Sequence, residues 1–366
     1  MKAITLIPGT NQVQCVDVPE PALSLPDDVK LKVLEVGICG TDRDIASGGR
    51  ASAPPGEKGL IIGHEMLGEV IAVGKSVKEF KVGDLAVVTV RRGCGQCVEC
   101  HHDRADLCTT GNYTERGIKG RHGFQAEYVV DQEKFLVKVP SDLRAYGVLC
   151  EPMSVVEKAV DEGILLQQAH LTSWNSPEEI SQKQALVVGL GPIGLLACIA
   201  LRLRGLKVFG IDLMPPESDK AILVQEMGGT FIDGRGLSYK DIPAKYGAID
   251  LIYEAVGNAN VDFQILDALG YNACAVFTGV PEPHGAINIE GARLMHDAVM
   301  KNQILCGSVN ATKKHWELAI ADLQKAKEKW EKTLAKLITS RCTYDRFKEV
   351  LFSVSQKEIK IVLTWN

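Results

Sequence analysis

Cys39, Thr41, His64 and Glu65 are side chains whose types and spacing suggest chemistry at a single point. Cys39 lies in the tight, glycine-flanked stretch Gly37–Asp44, just after the alternating apolar run Val29–Val36, which reads as a strand. Thr41, two residues on, offers a hydroxyl, and Gly63-His64-Glu65 brings the next ligand groups, with His64 25 residues after Cys39. A thiolate, an imidazole and a carboxylate brought together make a zinc site with room for a water or a substrate oxygen. Read singly, the same residues are a buried free cysteine and a core histidine. The rest of the chain weighs for the metal.

Cys94, Cys97, Cys100 and Cys108 form a Cys-x2-Cys-x2-Cys-x7-Cys pattern. Four thiolates so spaced can close a tetrahedral zinc shell within one loop. An iron–sulfur cluster takes four cysteines after a similar opening, and a metal-free loop is the plainest alternative. A closed all-sulfur shell leaves no position for a substrate, so this lobe reads as a structural zinc site. A nucleic-acid-binding zinc ribbon is the functional alternative, with Arg91-Arg92 beside it. The net charge of −5 lends that no support.

Gly189-Leu190-Gly191-Pro192-Ile193-Gly194 fits Gly-x-Gly-x-x-Gly, and it follows a predicted strand and opens a predicted helix. The first glycine permits the tight turn, the second lets a pyrophosphate approach the backbone, and the third lets helix and strand pack closely. Asp212 ends the next strand, where a carboxylate accepts from a ribose hydroxyl. The following Leu213-Met214-Pro215-Pro216 contains no cation to hold a 2′-phosphate, so NAD is favoured over NADP. Glu151, at the start of a helical stretch, is placed to face the Cys39/His64 metal, with Cys150 as the rival ligand.

These groups need two kinds of scaffold. The first 150 residues read as β-rich, with strands at 3–7, 30–36, 69–73, 85–90, 124–130 and 136–139 between glycine-containing turns. A long helix runs from Met153 towards Gln168, and 173–181 reads as a surface loop. From Gln184 strands at 185–188, 207–211, 249–253, 273–277 and 303–306 alternate with helices at 192–204, 218–227 and 261–269, the rhythm of a parallel sheet. The ends of its late strands put Phe277-Thr278-Gly279 and Leu305-Cys306-Gly307 beside a nicotinamide. The tail holds a helix at 315–338 and a last strand at 359–365, and is expected to fold back onto the first domain.

At 366 residues, with 46% hydrophobic and 24% charged residues, the chain has the size and balance of a two-domain globular protein. No apolar run reaches a membrane span and no signal peptide is evident, which points to the cytoplasm. Eleven cysteines is an odd number, and four of them within fifteen residues point to metal rather than disulfides.

Taken together, Gly63-His64-Glu65, the four-cysteine lobe and the Gly189–Gly194 loop stand in the order found in the medium-chain zinc-dependent dehydrogenases, which the chain resembles over essentially its whole length. Within that family it looks most like the archaeal-type glucose 1-dehydrogenases. The closer likeness lies in Arg91-Arg92-Gly93-Cys94-Gly95, Glu115-Arg116-Gly117-Ile118, His122-Gly123-Phe124, Glu151-Pro152, Glu157-Lys158-Ala159 and Gly307-Ser308-Val309-Asn310.

The resemblance implies an α/β fold. A β-barrel-like (GroES-like) catalytic domain over 1–152 joins a doubly wound Rossmann domain over 153–309, and 310–366 returns to the first. It implies two zinc ions per chain. Cys39 and His64 would hold the catalytic one, with Glu65 and Glu151 joining in turn or through water, and Asp42 would orient His64. Thr41 would bond the reacting hydroxyl, and Glu115, Glu151 and Asn310 would hold sugar hydroxyls. The reaction implied is oxidation of an aldose at C1 by NAD, with NADP as the alternative cofactor, in a homodimer or homotetramer. A polyol or secondary-alcohol dehydrogenase is the alternative reading. Asp44 stands where many family members carry a relay histidine, and Val90, Val155 and Met300 stand where some glucose dehydrogenases have polar residues.

Overall fold

Strand Asp28–Ile38 buries Val29, Leu31, Val33 and Val36 completely. In the computed structural model, which describes residues 1–353, 355 and 357–365, it is the centre of a seven-stranded sheet. Glu65–Val73 pairs with it on one side and Lys360–Thr364 on the other, both antiparallel. Leu85–Val88 and Leu136–Val139 extend the first side and Ile338–Thr343 the second, while Tyr128–Gln132 also pairs with the central strand. Register sets the neighbours of the strand end: Gly37 lies opposite both Glu65 and Val362, and Ile38 opposite Ile361. A slip of one residue would turn every side chain of a strand to the other face.

The chain forms two compact units, Met1–Ser154 with Asn310–Gln324 and Leu334–Asn366, and Val155–Val309 with Lys325–Thr333. The division falls inside helix Cys150–His170, two residues beyond the expected boundary. Residues 325–333 depart from the expectation that the whole tail joins the first unit. They lie in helix Lys313–Leu337, which is non-helical at Trp330, and Thr333 Oγ1 donates to Glu226 Oε2 at 2.9 Å within the second unit.

In the second unit six parallel strands run in the order Thr230–Asp233, Lys207–Asp212, Gln184–Val188, Ile249–Glu254, Leu269–Phe277 and Ile304–Gly307. Chain order reverses between Gln184–Val188 and Ile249–Glu254. That reversal opens a crevice at the carboxyl ends of the strands, where doubly wound sheets bind ligands.

Several short strands escape sequence reading, among them Val13–Asp17, Thr230–Asp233 and Ile338–Thr343. The expected surface loop at 173–181 is instead a single 3-10 turn, Thr172–Trp174, with Trp174 fully buried, and a short helix, Pro177–Ile180. Ser176 and Glu179 cap that helix reciprocally, so the Ser-Pro-Glu-Glu run is a helix start rather than a loop.

The Gly189–Gly194 loop divides its glycines by task. A Cβ on Gly194 would overlap the Gly189 carbonyl oxygen, whereas one on Gly191 meets nothing within 4 Å. Gly194→Ala should therefore cost about 1–3 kcal/mol of stability through overpacking, while Gly191→Ala should stay within about 0.5 kcal/mol of wild type. Thermal and urea unfolding of the two variants measure this. Equal midpoints would refute the assignment.

Candidate active site

Helix Gly40–Ala46 begins where strand Asp28–Ile38 ends, and Cys39 is its N-cap. The Thr41 amide donates to Cys39 Sγ at 3.2 Å, and the Cys39 amide donates to Asp42 Oδ2 at 3.0 Å. This reciprocal cap fixes the sulfur in space and buries Asp42 beneath it. Thr41 stays exposed on the first turn, and Asp44 is exposed further along.

Gly63, at φ +86°, turns the chain immediately before His64, a backbone conformation that suits glycine. His64 Nε2 then lies 3.1 Å from Cys39 Sγ, and Nδ1 lies 3.5 Å from Asp42 Oδ1. Burial lowers the proton affinity of His64, but the negative charges of Cys39 and Asp42 outweigh it and raise the pKa well above its ordinary value. The pocket thus favours positive charge between sulfur and imidazole. A cation held by thiolate and Nε2, with a carboxylate behind Nδ1, satisfies that demand.

Glu65 is buried opposite Gly37, and a Cβ at Gly37 would overlap Glu65 Oε2. Both Glu65 oxygens accept from Lys360 Nζ at 2.7 Å, and the same ammonium donates to the Ile38 carbonyl at 3.3 Å. Burial opposes the charge on Lys360, but Glu65 and Cys39 more than compensate and raise its pKa. The ligand atoms of Cys39, His64 and Glu65 lie within 4.8 Å of one another. Glu151, at the start of helix Cys150–His170, stands outside that cluster but within its field. Burial, with the charges of Glu65 and Asp42, pushes its carboxyl up to about 7 against the pull of His64 and Lys360. Cys150 does not join them: its thiol points to the Trp316 carbonyl at 3.6 Å.

Cys94, Cys97, Cys100 and Cys108 also bring their sulfurs within 4.8 Å of one another. Backbone amides of Gln96 and Cys97 donate to Cys94 Sγ at 3.4 Å. The Cys100 amide holds the Cys97 thiol down to about 5, the Thr110 hydroxyl brings Cys108 to about 7, and burial beside these sulfurs pushes Cys100 up to about 12. A divalent cation relieves that mutual repulsion, and four sulfurs suit zinc. The neighbouring arginines are spent internally. Arg91 donates to Glu115 and Arg92 to Asp131, both guanidinium groups buried, so neither is a free contact for nucleic acid. Asn310 Nδ2 donates to Glu115 at 2.9 Å, so two expected sugar ligands touch each other.

In the second unit Gly191 is the N-cap of helix Pro192–Leu203, with Pro192 in its first turn. Leu190 N donates to Asp212 Oδ2 at 2.7 Å, which ties the Gly189–Gly194 loop to the end of the next strand. Phe277 ends one strand with Thr278 and Gly279 just beyond it, and Leu305, Cys306 and Gly307 end its neighbour, with Phe277 opposite Gly307. A residue that sequence reading missed organises this end. Glu254, fully buried, accepts from Val256 N at 2.5 Å, Gly257 N at 2.8 Å and Gly279 N at 3.0 Å. Thr278 returns two donors to the Glu254 carbonyl. Lys360 was missed too; its only signal is one cation inside the apolar run 359–363.

The profile of the "Alcohol dehydrogenase GroES-like domain" family matches residues 25–141, and that of the "Glucose dehydrogenase C-terminus" family matches 144–365. Glucose 1-dehydrogenase 1 of Caldivirga maquilingensis is 41% identical, with 100% of this chain and 99% of that one covered. Glucose 1-dehydrogenase of Thermoproteus tenax is 40% identical over 99% of each. Among solved structures, Haloferax mediterranei glucose dehydrogenase in complex with NADP, Zn and gluconolactone superposes with a TM-score of 0.89 at 29% identity, covering 100% of this chain and 99% of that one. A metal-ligating corner in a GroES-like unit, a doubly wound sheet with its glycine loop, and this end-to-end identity lead to one conclusion: the chain belongs to the glucose dehydrogenase branch of the medium-chain, zinc-dependent dehydrogenases.

Proposed function

We propose that this protein transfers hydride from C1 of an aldose, D-glucose in first place, to NAD or NADP and releases the lactone. It does so with one zinc ion at Cys39 and His64 and a second at the four cysteines. The observation that carries this reading is the clustering of Cys39, His64 and Glu65 in a chain similar throughout to glucose 1-dehydrogenases. Zinc, when bound, lowers the pKa of a coordinated hydroxyl towards neutrality, and the dinucleotide accepts the hydride.

The chain's own residues supply position and charge. Cys39 and His64 hold the metal, Asp42 steadies the imidazole, and Glu65 and Glu151 complete the shell in turn or through water. Because Lys360 grips both oxygens of Glu65, Glu151 is the readier carboxylate in this state. Thr41 takes the proton of the reacting hydroxyl and passes it to the ribose, Asp44 or bulk water. Glu115 and Asn310 hold ring hydroxyls, each of which would cost about 1–3 kcal/mol if desolvated without a partner. The Gly189–Gly194 loop and Asp212 hold the dinucleotide, and Phe277–Gly279 with Leu305–Gly307 border its nicotinamide. The enzyme works in the cytoplasm as a homodimer or homotetramer. In support, no helix among the described residues is long and apolar enough to cross a membrane, and Ile304–Gly307 ends its sheet with Leu305 exposed.

The decisive measurement is kcat/KM for glucose, galactose, xylose, sorbitol and ethanol with each dinucleotide. An aldose should lead. Sorbitol or ethanol ahead of every aldose by tenfold would replace the sugar reading with a polyol or simple-alcohol one.

NAD should be preferred. Asp212 lies in register with Asp233, and the nearby cation, Arg235, is bonded to Asp233 through both Nε and Nη2. A 2′-phosphate there meets two carboxylates. Asp212→Ala should raise the KM for NAD about tenfold, as loss of a charged hydrogen bond worth roughly 1.5–3 kcal/mol implies, and narrow the gap to NADP. Wild-type preference for NADP would show that this position is misread.

Graded chelation should remove the two metals in sequence. The open Cys39/His64 site should empty first, with loss of activity and little change in melting, and the closed four-thiolate site later, with loss of stability. Metal content, activity and melting followed together decide it. Fully active protein with one zinc per chain would contradict the two-site reading.

A further inference from the structure

The small sheet next to the four-cysteine loop pairs Arg91 directly with Glu115. Arg91 is buried, and its guanidinium stacks on the Tyr113 ring at 4.0 Å. All three of its nitrogens are engaged. Nη1 donates to the Asp106 carbonyl at 2.8 Å, while Nε and Nη2 both donate to Glu115 Oε1, at 3.0 and 2.9 Å. Asn310 Nδ2 adds a third donor to that same oxygen at 2.9 Å. Among the described residues none donates to Oε2.

This arrangement is unlike an ordinary arginine–carboxylate fork, in which two nitrogens take two oxygens. Here every donor converges on Oε1, which fixes the carboxylate plane and leaves Oε2 as a free acceptor of set direction. The Arg91 charge offsets that of Glu115, so the acceptor suits a neutral hydroxyl rather than an amine. Asn310 completes the device. It sits in the left-handed region at φ +64°, and its Oδ1 accepts from Ala311 N at 2.8 Å, which aims the amide. Nδ2 still has one hydrogen to give. A single hydroxyl can therefore donate to Glu115 Oε2 and accept from Asn310 Nδ2.

We propose that Arg91 is the positioning residue for substrate specificity: it locks Glu115 so that Oε2 and Asn310 together read one ring hydroxyl in both directions. This rests on the aldose reading of the site. A sugar lacking that hydroxyl leaves the set Oε2 acceptor without its donor in the complex, and sites built to bond a substrate hydroxyl reject the deoxy analogue strongly. In wild-type protein one monodeoxyglucose should fall at least about 100-fold below glucose in kcat/KM.

The test uses the full-length, zinc-loaded protein. Arg91→Lys keeps the charge but loses the paired donors that converge on Oε1. It should raise the KM for glucose tenfold or more, change kcat less than threefold, leave the KM for NAD and the zinc content unaltered, and shrink the penalty for the deoxy sugar. Tyr113→Leu loosens the guanidinium without removing it and should move the same quantities in the same direction by a smaller factor, which keeps the test open if Arg91→Lys folds poorly. Because Arg91 acts through Glu115, adding Arg91→Lys to Glu115→Gln should raise the glucose KM no further. Glucose oxidation with an unchanged KM in both Arg91→Lys and Tyr113→Leu, or additive effects in the double variant, would overturn the role of Arg91 alone. Wild-type protein inactive on every aldose would overturn the aldose reading, and this inference with it.

Discussion

The buried ion pair between Lys360 and Glu65 is the interaction on which the metal corner depends. Its two members come from the outer strands of a three-strand run, and the strand between them ends one residue before Cys39. Removing one partner of such a pair leaves an uncompensated charge, at a cost of about 3–5 kcal/mol. The pair also specifies register. Only with Gly37 between Glu65 and Val362 does the carboxylate have room beside a residue without a side chain and reach the ammonium. Ligand geometry and strand pairing are therefore one constraint: the sheet cannot slip without separating His64 from Cys39.

Local patterns were legible in the sequence wherever the chemistry is local. The four cysteines sit within one loop, and Gly189–Gly194 is a single turn, so spacing alone shows them. Cys39 and His64 were readable as ligand types, but their convergence required the sheet. What stayed hidden is long-range and carried by single residues. Lys360 lies 295 positions from Glu65, and a lone lysine in an apolar strand announces no partner. Glu254 is equally silent, because its partners are backbone amides, which every residue has. Arg91-Arg92 left a nucleic-acid alternative open because sequence does not reveal the carboxylates, Glu115 and Asp131, that absorb them. Trp174 was misplaced for a related reason: the polar residues around it outweighed one indole in the pattern.

The two units solve a shared problem with the same device. Each puts a carboxylate where chain segments from distant positions meet, and several donors converging on it hold the segments in place. In the first unit the donors are side chains, Lys360 to Glu65 and Arg91 with Asn310 to Glu115. In the second they are amides: Glu254 collects Val256, Gly257 and Gly279, and Asp212 collects Leu190, Leu213 and Met214. The glycines make that approach possible, since a Cβ at Gly279 would overlap the Gly257 amide. A half-buried carboxylate with every donor on one oxygen, as at Glu115, then stands out by the acceptor it leaves open.

The position of Lys360 along the chain has a consequence for how the protein is made. The strand that carries it is paired in space with the strand leading to Cys39, yet 295 residues separate Lys360 from Glu65. At about 5–20 residues per second, synthesis of that interval takes roughly 15–60 s. The second unit, 155–309 with 325–333, emerges in full before residue 360 and can fold without waiting for it. Throughout, the nascent central strand presents an open edge, and Glu65 lacks the cation that its burial demands. The metal corner is thus timed by translation of residue 360, and any zinc captured earlier meets a half-built cradle.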